Sequence, residues 1–241
     1  MITVYITSIL AMTACQPESP PARITLELGN DIEMELALIP KGTFMMGSPE
    51  TEIGRYEDES PHQVTLTQNY YMMTTELTQE MFEELIGYNT SEFPGSRNPV
   101  DSVGWLQIAE VANALTDLHN LANDTDLEHC FTCSGAGDIG HYPDCERVAN
   151  PYRCSGYRMP TEAEWEYAAR SGTEQAIWTE NGGGSPVSTG SSIILDDGSD
   201  LRDYAWYDGS EVNGTEEVAM KRANAYGLHD MHGNVLEWVW D

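Results

Sequence analysis

Apolar and polar residues alternate with a period of two from Arg23 to Ser48, on both sides of Gly29-Asn30. That pattern predicts a β-hairpin closed by a tight turn. His62 to Met73 keeps the same period after an acidic loop, Glu50 to Pro61, and is expected to be a further strand. The period then changes to that of a helix. Thr78 is placed to cap a short one, with Leu77 and Phe82 at the two staple positions and Gly87 to end it. Between Trp105 and His119, Trp105, Ile108, Val111, Ala112, Leu115 and Leu118 share one face of a longer helix, an apolar stripe that reads as core. In "YRMPTEAEWEYAAR" (Tyr157 to Arg170), Pro160 stops the approach, Thr161 and Glu164 make a capping box, and Glu162 and Glu164 suit the positive end of the helix dipole. Ser171 to Glu217 is rich in Gly, Ser and Asp, with Trp178, Tyr204, Trp206 and Tyr207 as isolated anchors, so loops with short strands are expected there. The reading is an α+β fold: a single compact domain of low regular secondary structure over residues 22–241.

Composition agrees with a loop-rich chain and narrows its partners. The 241 residues include 21 Gly, 12 Pro, 6 Trp and 12 Tyr, a mixture better suited to aromatic-pinned loops than to a helical bundle. Acidic residues outnumber basic ones 40 to 11, for a formal net charge of −29. Such a surface repels phosphate backbones and anionic membranes and attracts cations. Nucleic acid is therefore not an expected partner. Most of the acids serve solubility, and only acids clustered at turns merit consideration as ligands.

Residues 1–21 read as a signal peptide or lipoprotein leader followed by a linker. Met1 to Ala14 is an apolar run too short to span a bilayer, and "MTAC" is similar to a lipoprotein cleavage box that would leave Cys15 as the lipidated first residue. No Lys or Arg precedes the run, which leaves a plain terminal strand as the other reading. An exported protein is expected, in a bacterial cell envelope or secreted, touching membrane only through an anchor on Cys15. Setting Cys15 aside leaves Cys130, Cys133, Cys145 and Cys154 in a cysteine-rich insertion, residues 129–156. Two disulfides of undetermined connectivity suit an oxidising compartment, and a zinc knuckle on the Cys130/Cys133 spacing is the alternative.

Familiar catalytic motifs are absent from the sequence. "GAGDIG" (Gly135 to Gly140) has glycine-fingerprint spacing but neither a strand pattern before it nor a helix pattern after, so it reads as a turn cluster. There is no Walker loop, nucleophile elbow or H-E-x-x-H. His229, Asp230 and His232 have spacing that can converge on a transition metal, but they flank a turn beside Met231 and read better as structural histidines. The stretch "YGLHDMHGNVLEWVWD" (Tyr226 to Asp241) offers more to a hard cation. Asp230 and Glu237 supply carboxylates and the Gly233-Asn234 turn can bring carbonyls inward, while a turn cap and an ion pair would explain the same residues without a metal.

"IPKGTFMMGS", "SPHQVTLTQNYYM", "ELTQEMF", "NPVDSVGW", "YRMPTEAEWEYAAR" and "ANAYGLHDMHGNVLEWVWD" follow one another in the order of the signatures of the formylglycine-generating enzyme and sulfatase-modifying factor family. The resemblance covers Leu38 to Asp241, with the cysteine-rich stretch as an insertion. It implies a C-type-lectin-like domain with structural calcium, held by the Asp230 side chain, the carbonyls of Gly233 and Val235, and Glu237. A second calcium site of some members uses an Asn where this chain has Trp206, and is not carried over. Founding members oxidise a sulfatase cysteine to formylglycine with copper on a cysteine pair that follows the last of these motifs. The resemblance therefore implies a domain that continues past Asp241. For the residues given it implies no catalytic set and a binding or scaffold role toward a protein or peptide, such as a sulfatase or a cell-envelope partner. A copper-dependent oxidase is the alternative if a longer form carries the cysteine pair. Related nonhaem iron sulfoxide synthases need a helical domain with a histidine triad, which nothing before Leu38 supplies.

Overall fold

The computed structural model describes residues 1–4, 21–135, 137–138, 140–148, 150–190, 193–207 and 214–241. Cys15 lies outside the described residues, as does most of the leader. The part of the leader that is described sits in the core: Thr3–Val4 is a strand (β1), and Met1 and Ile2 are buried beside it.

Arg23–Gly29 (β2) and Ile32–Ile39 (β3) form the expected hairpin. Asn30 and Asp31 both take positive φ, 49° and 62°, the turn geometry whose twist matches that of the flanking strands. Gly42–Met46 (β4) leaves this hairpin and pairs with His62–Leu66 (β5) as a separate ribbon. The single strand expected over His62 to Met73 is thus two, because Tyr70–Met73 (β6) joins the main sheet instead. All four β6 residues are buried, as befits a central strand covered on both faces, and such a strand carries no polar alternation to reveal it. The main sheet runs β2-β3-β6-β1-β9, with Tyr157–Arg158 as β9.

Helices cover the sheet where their caps and stripes direct them. Gln79–Ile86 (α1) starts at Thr78, whose hydroxyl accepts the Met81 N–H at 3.3 Å, and stops at Gly87, φ 83°. Trp105–Asn123 (α2) runs one turn beyond the expected end, to Asp124 in the left-handed region. Glu162–Arg170 (α3) has the full capping box: the Thr161 hydroxyl accepts the Glu164 N–H, and Glu164 accepts the Thr161 N–H at 2.9 Å. Leu36, Met72, Phe82, Val111, Leu115 and Tyr157 are fully buried in the core between these layers.

Although no strand pattern precedes "GAGDIG" in the sequence, Phe131–Ser134 (β7) and Asp144–Arg147 (β8) pair within the cysteine-rich insertion as a hairpin. Cys133 and Cys145 lie directly opposite each other and are bonded, and Cys130 is bonded to Cys154. All four sulfurs are thereby in disulfides, which leaves no thiolate for a zinc knuckle. Beyond α3, the described residues up to Tyr207 hold isolated bridges, such as Ile177 with Gly184, and one 3-10 turn at Leu201–Asp203, around a small core of Ile177, Leu195, Leu201, Tyr204 and Ala205. Among the described residues no helix is long and apolar enough to cross a membrane.

Candidate functional site

The loop from Asn224 to Asp241 folds back over α3 and the end of β6. Asn224 fixes its entry, donating to the Ala168 carbonyl at 2.8 Å and accepting the Tyr226 and Leu228 N–H groups. The His229 N–H donates to the Thr74 carbonyl at 2.9 Å, tying the loop to the residue after β6. Its far end is pinned by indoles: Trp105 donates to the Val239 carbonyl, Trp238 to that of Val103, and Trp240 packs on Phe131 with ring centroids 5.1 Å apart.

Asp230 is 1% exposed, at φ 53°. Its Oδ1 accepts the Trp206 indole at 3.0 Å and the Lys221 N–H at 3.3 Å, and its Oδ2 accepts the Ala219 N–H at 2.5 Å. Burial raises its pKa, and these N–H donors act in the opposite direction. Gly233 has φ 99°, and a Cβ there would stand 1.8 Å from the Trp206 carbonyl oxygen, so only glycine permits this crossing. The Gly233 carbonyl accepts the Val235 N–H at 2.9 Å. Glu237 accepts the Met1 amino group at 3.1 Å and the Trp165 indole at 3.2 Å, both on Oε2.

One acid that the sequence reading did not single out completes this neighbourhood. Glu76 is 2% exposed, with Oε2 accepting the Asn234 amide at 3.3 Å and Oε1 buried without a partner. Burial first, then the charges of Glu237 and Asp230, push its carboxyl up to about 9. The signal for it was present: an acid inside "TTELTQ", between an apolar strand and a helix cap, where a solvated side chain has little room.

Whether this set suits calcium can be tested on its donors. Two buried carboxylates, a turn carbonyl and an unpartnered oxygen of a third carboxyl are hard-oxygen donors, and they fit a hard cation in kind. Among the described residues no three His, Cys, Asp or Glu side chains converge to hold a metal, but the set Asp230, Gly233, Val235 and Glu237 needs only two of them. The histidine alternative has no such support. The His229 ring bonds the Lys221 carbonyl at 2.8 Å, while His232 has a sealed, unpartnered Nε2 and is held down at about 4 by burial and by Arg170.

Comparison with known proteins places this arrangement. A protein from Paenibacillus barcinonensis described as the chaperone protein LppX is 28% identical over all of this chain and 80% of its own length. The formylglycine-generating enzyme of Mycobacterium tuberculosis is 30% identical over 85% of the chain and 73% of its own. An inactive C-alpha-formylglycine-generating enzyme 2 from Bos taurus is 27% identical over 89% and 73%. Among solved structures, Treponema denticola variable protein 1 superposes with a TM-score of 0.68 at 29% identity, covering 92% of this chain and 77% of that one. PvdO of Pseudomonas aeruginosa shares the fold at TM-score 0.55 and 23% identity, over 92% and 76%. The fold is the mixed α/β, C-type-lectin-like one that the resemblance implied. The model of the sulfatase-modifying factor enzyme 1-like domain matches residues 29–241, the whole stretch from the first hairpin turn through the acidic loop, and the chain belongs to that family.

Proposed function

We propose that this chain is an exported binding or scaffold member of the family, stabilised by calcium at Asp230, Gly233, Val235 and Glu237, that does not make formylglycine with the residues given. Family membership does not carry activity, since the relatives include formylglycine-generating enzymes, an inactive paralogue and a chaperone. The observation that carries the reading is the state of the cysteines. Copper-dependent oxidation of a substrate thiol needs reduced sulfur ligands. Cys130, Cys133, Cys145 and Cys154 are all spent in disulfides. Calcium would supply positive charge to a buried acidic pocket and no chemistry of its own, with Asp230 and Glu237 as the charged ligands. The same disulfides support export, and a relative named as a chaperone together with the family's sulfatase-modifying description supports a protein or peptide partner.

The second reading, a copper-dependent formylglycine-generating oxidase in a longer form of the protein, is favoured by the identity to the mycobacterial enzyme. One assay separates the two. A sulfatase-derived peptide incubated with this chain, copper, oxygen and a reductant is followed by mass spectrometry for the thiol-to-aldehyde change. The expected result is an unchanged peptide. Turnover would establish the oxidase reading.

A further inference from the structure

β2 is an edge strand of the main sheet: β3 lies on one side, and among the described residues no strand pairs with it on the other. The Leu38 N–H donates to the Ala22 carbonyl at 2.9 Å, which sets the phase of the β2–β3 ladder. Ile24 and Leu26 turn their backbone groups toward β3, opposite Leu36 and Met34, while Arg23, Thr25 and Glu27 turn theirs outward. Among the described residues no group bonds to these outward N–H and C=O groups. Edges of this kind are usually blunted by Pro, by Lys, by a bulge or by shortness. β2 has seven residues and neither Pro nor Lys, and its one irregularity falls after Glu27, beyond the open stretch.

Both faces of this edge are chemically marked. On the solvent face Glu27 lies directly opposite Glu33; both are exposed, and neither has a basic partner among the described residues. Arg23, the one cation in the hairpin, pairs with Glu35 instead. Like charges set directly opposite destabilise a ladder, and a cation on a neighbouring strand would relieve them. On the other face Ile24 and Leu26 are only partly buried, at the rim of the core. An added strand would place alternate side chains beside Glu27 on one face and beside Ile24 and Leu26 on the other. On a chain of net charge −29, the same acids oppose a second copy of this edge as the occupant and favour a partner of opposite charge.

We propose that the open edge of β2 is a strand-addition site for an extended peptide in which basic and apolar residues alternate, the basic ones on the face of Glu27 and Glu33 and the apolar ones on the face of Ile24 and Leu26. Backbone bonds to Arg23, Thr25 and Glu27 hold the peptide, and the two faces select it. The site needs neither calcium nor oxidase chemistry, so it stands or falls separately from the formylglycine assay. The test titrates the full chain into a fluorescent Lys-Val-Lys-Val-Lys peptide, followed by anisotropy. Binding is expected, and a Lys-Lys-Lys-Val-Val peptide of the same composition should bind about tenfold more weakly, because it cannot match both faces. Thr25→Pro removes an outward N–H and no bond to β3, so it should leave thermal unfolding close to that of the parent chain and weaken the alternating peptide about tenfold. Glu27→Lys with Glu33→Lys, confined to exposed side chains, decides the matter whatever Thr25→Pro does to folding. That variant should release the lysine peptide and take up Glu-Val-Glu-Val-Glu. Failure to bind Lys-Val-Lys-Val-Lys, equal binding of the two lysine peptides, undiminished binding to a folded Thr25→Pro chain, or a charge-reversed variant that keeps the original preference overturns the proposal.

Discussion

Arg158 and Glu164 meet in the core as a fork, Nη1 to Oε2 at 2.8 Å and Nη2 to Oε1 at 2.9 Å, with both side chains fully buried. Glu164 does two tasks at once, since Oε2 also accepts the Thr161 N–H that closes the capping box of α3. Removing one partner leaves a buried charge without its counter-ion, which costs about 3–5 kcal/mol. Glu164→Ala is therefore expected to lose that much in urea unfolding, with a large part of the loss recovered when Arg158→Met is added. A loss under about 1 kcal/mol, the range of a surface pair, would show that the pair is solvated.

The disulfides should be separable by size. Cys130–Cys154 closes 24 residues of separation and Cys133–Cys145 closes 12. By the loop-entropy relation each contributes about 3 kcal/mol, slightly more for the longer loop. Peptide mapping of the non-reduced protein should recover these two pairings and no free thiol beyond Cys15. Cys133→Ser with Cys145→Ser should lower stability without unfolding the domain, because the β7–β8 ladder and the burial of Phe131 persist.

Local signals were legible where one physical rule decides the outcome alone. Thr161 with Glu164, Thr78 with Gly87, and the turn after Gly29 all formed as read, since caps and turns are settled within a few residues. The parts not read from the sequence depend on distant partners. β6 has no alternation because both of its faces are covered by parts of the chain distant in sequence, and β7–β8 was hidden in Gly- and Asp-rich sequence that a disulfide holds in register. At the candidate site, the importance of Gly233-Asn234 could be read from composition, whereas Glu76, 158 residues before its partner Asn234, could not be placed there without the fold.

Gly233 gives the sharpest test of the loop. Its φ of 99° and the 1.8 Å approach of the Trp206 carbonyl mean that Gly233→Ala must both strain the backbone and push two segments apart. The variant is expected to lose about 3 kcal/mol or more in urea unfolding and to disturb the Trp206 indole bond to Asp230, visible as a shift in tryptophan emission. Gly172→Ala, also at positive φ but with open space around its Cβ, should cost about 1 kcal/mol. Equal losses at the two sites would mean that the Trp206 contact is unimportant.

Glu76 sets the sign of a pH effect and links it to calcium. Its folded pKa, about 9, lies above the ordinary carboxylate value of 4.5, so between these two the folded state holds a proton that the unfolded state has released. Stability from this group is full below about 4.5 and is lost as pH rises toward about 9. In chelator, the melting temperature is expected to fall across that window, and Glu76→Gln, which keeps the shape and removes the titration, should flatten the fall. Calcium binding at Asp230 and Glu237 would add positive charge beside the same carboxylate, raising the melting temperature with concentration as mass action requires, and by more at pH 8 than at pH 5. Glu237→Gln should blunt that rise while leaving the fall in chelator largely in place, since burial is the leading cause of the Glu76 shift. Melting curves that ignore calcium at pH 8, in a protein whose pH dependence follows Glu76, would show that the proton alone neutralises the pocket and that the metal is not part of the fold.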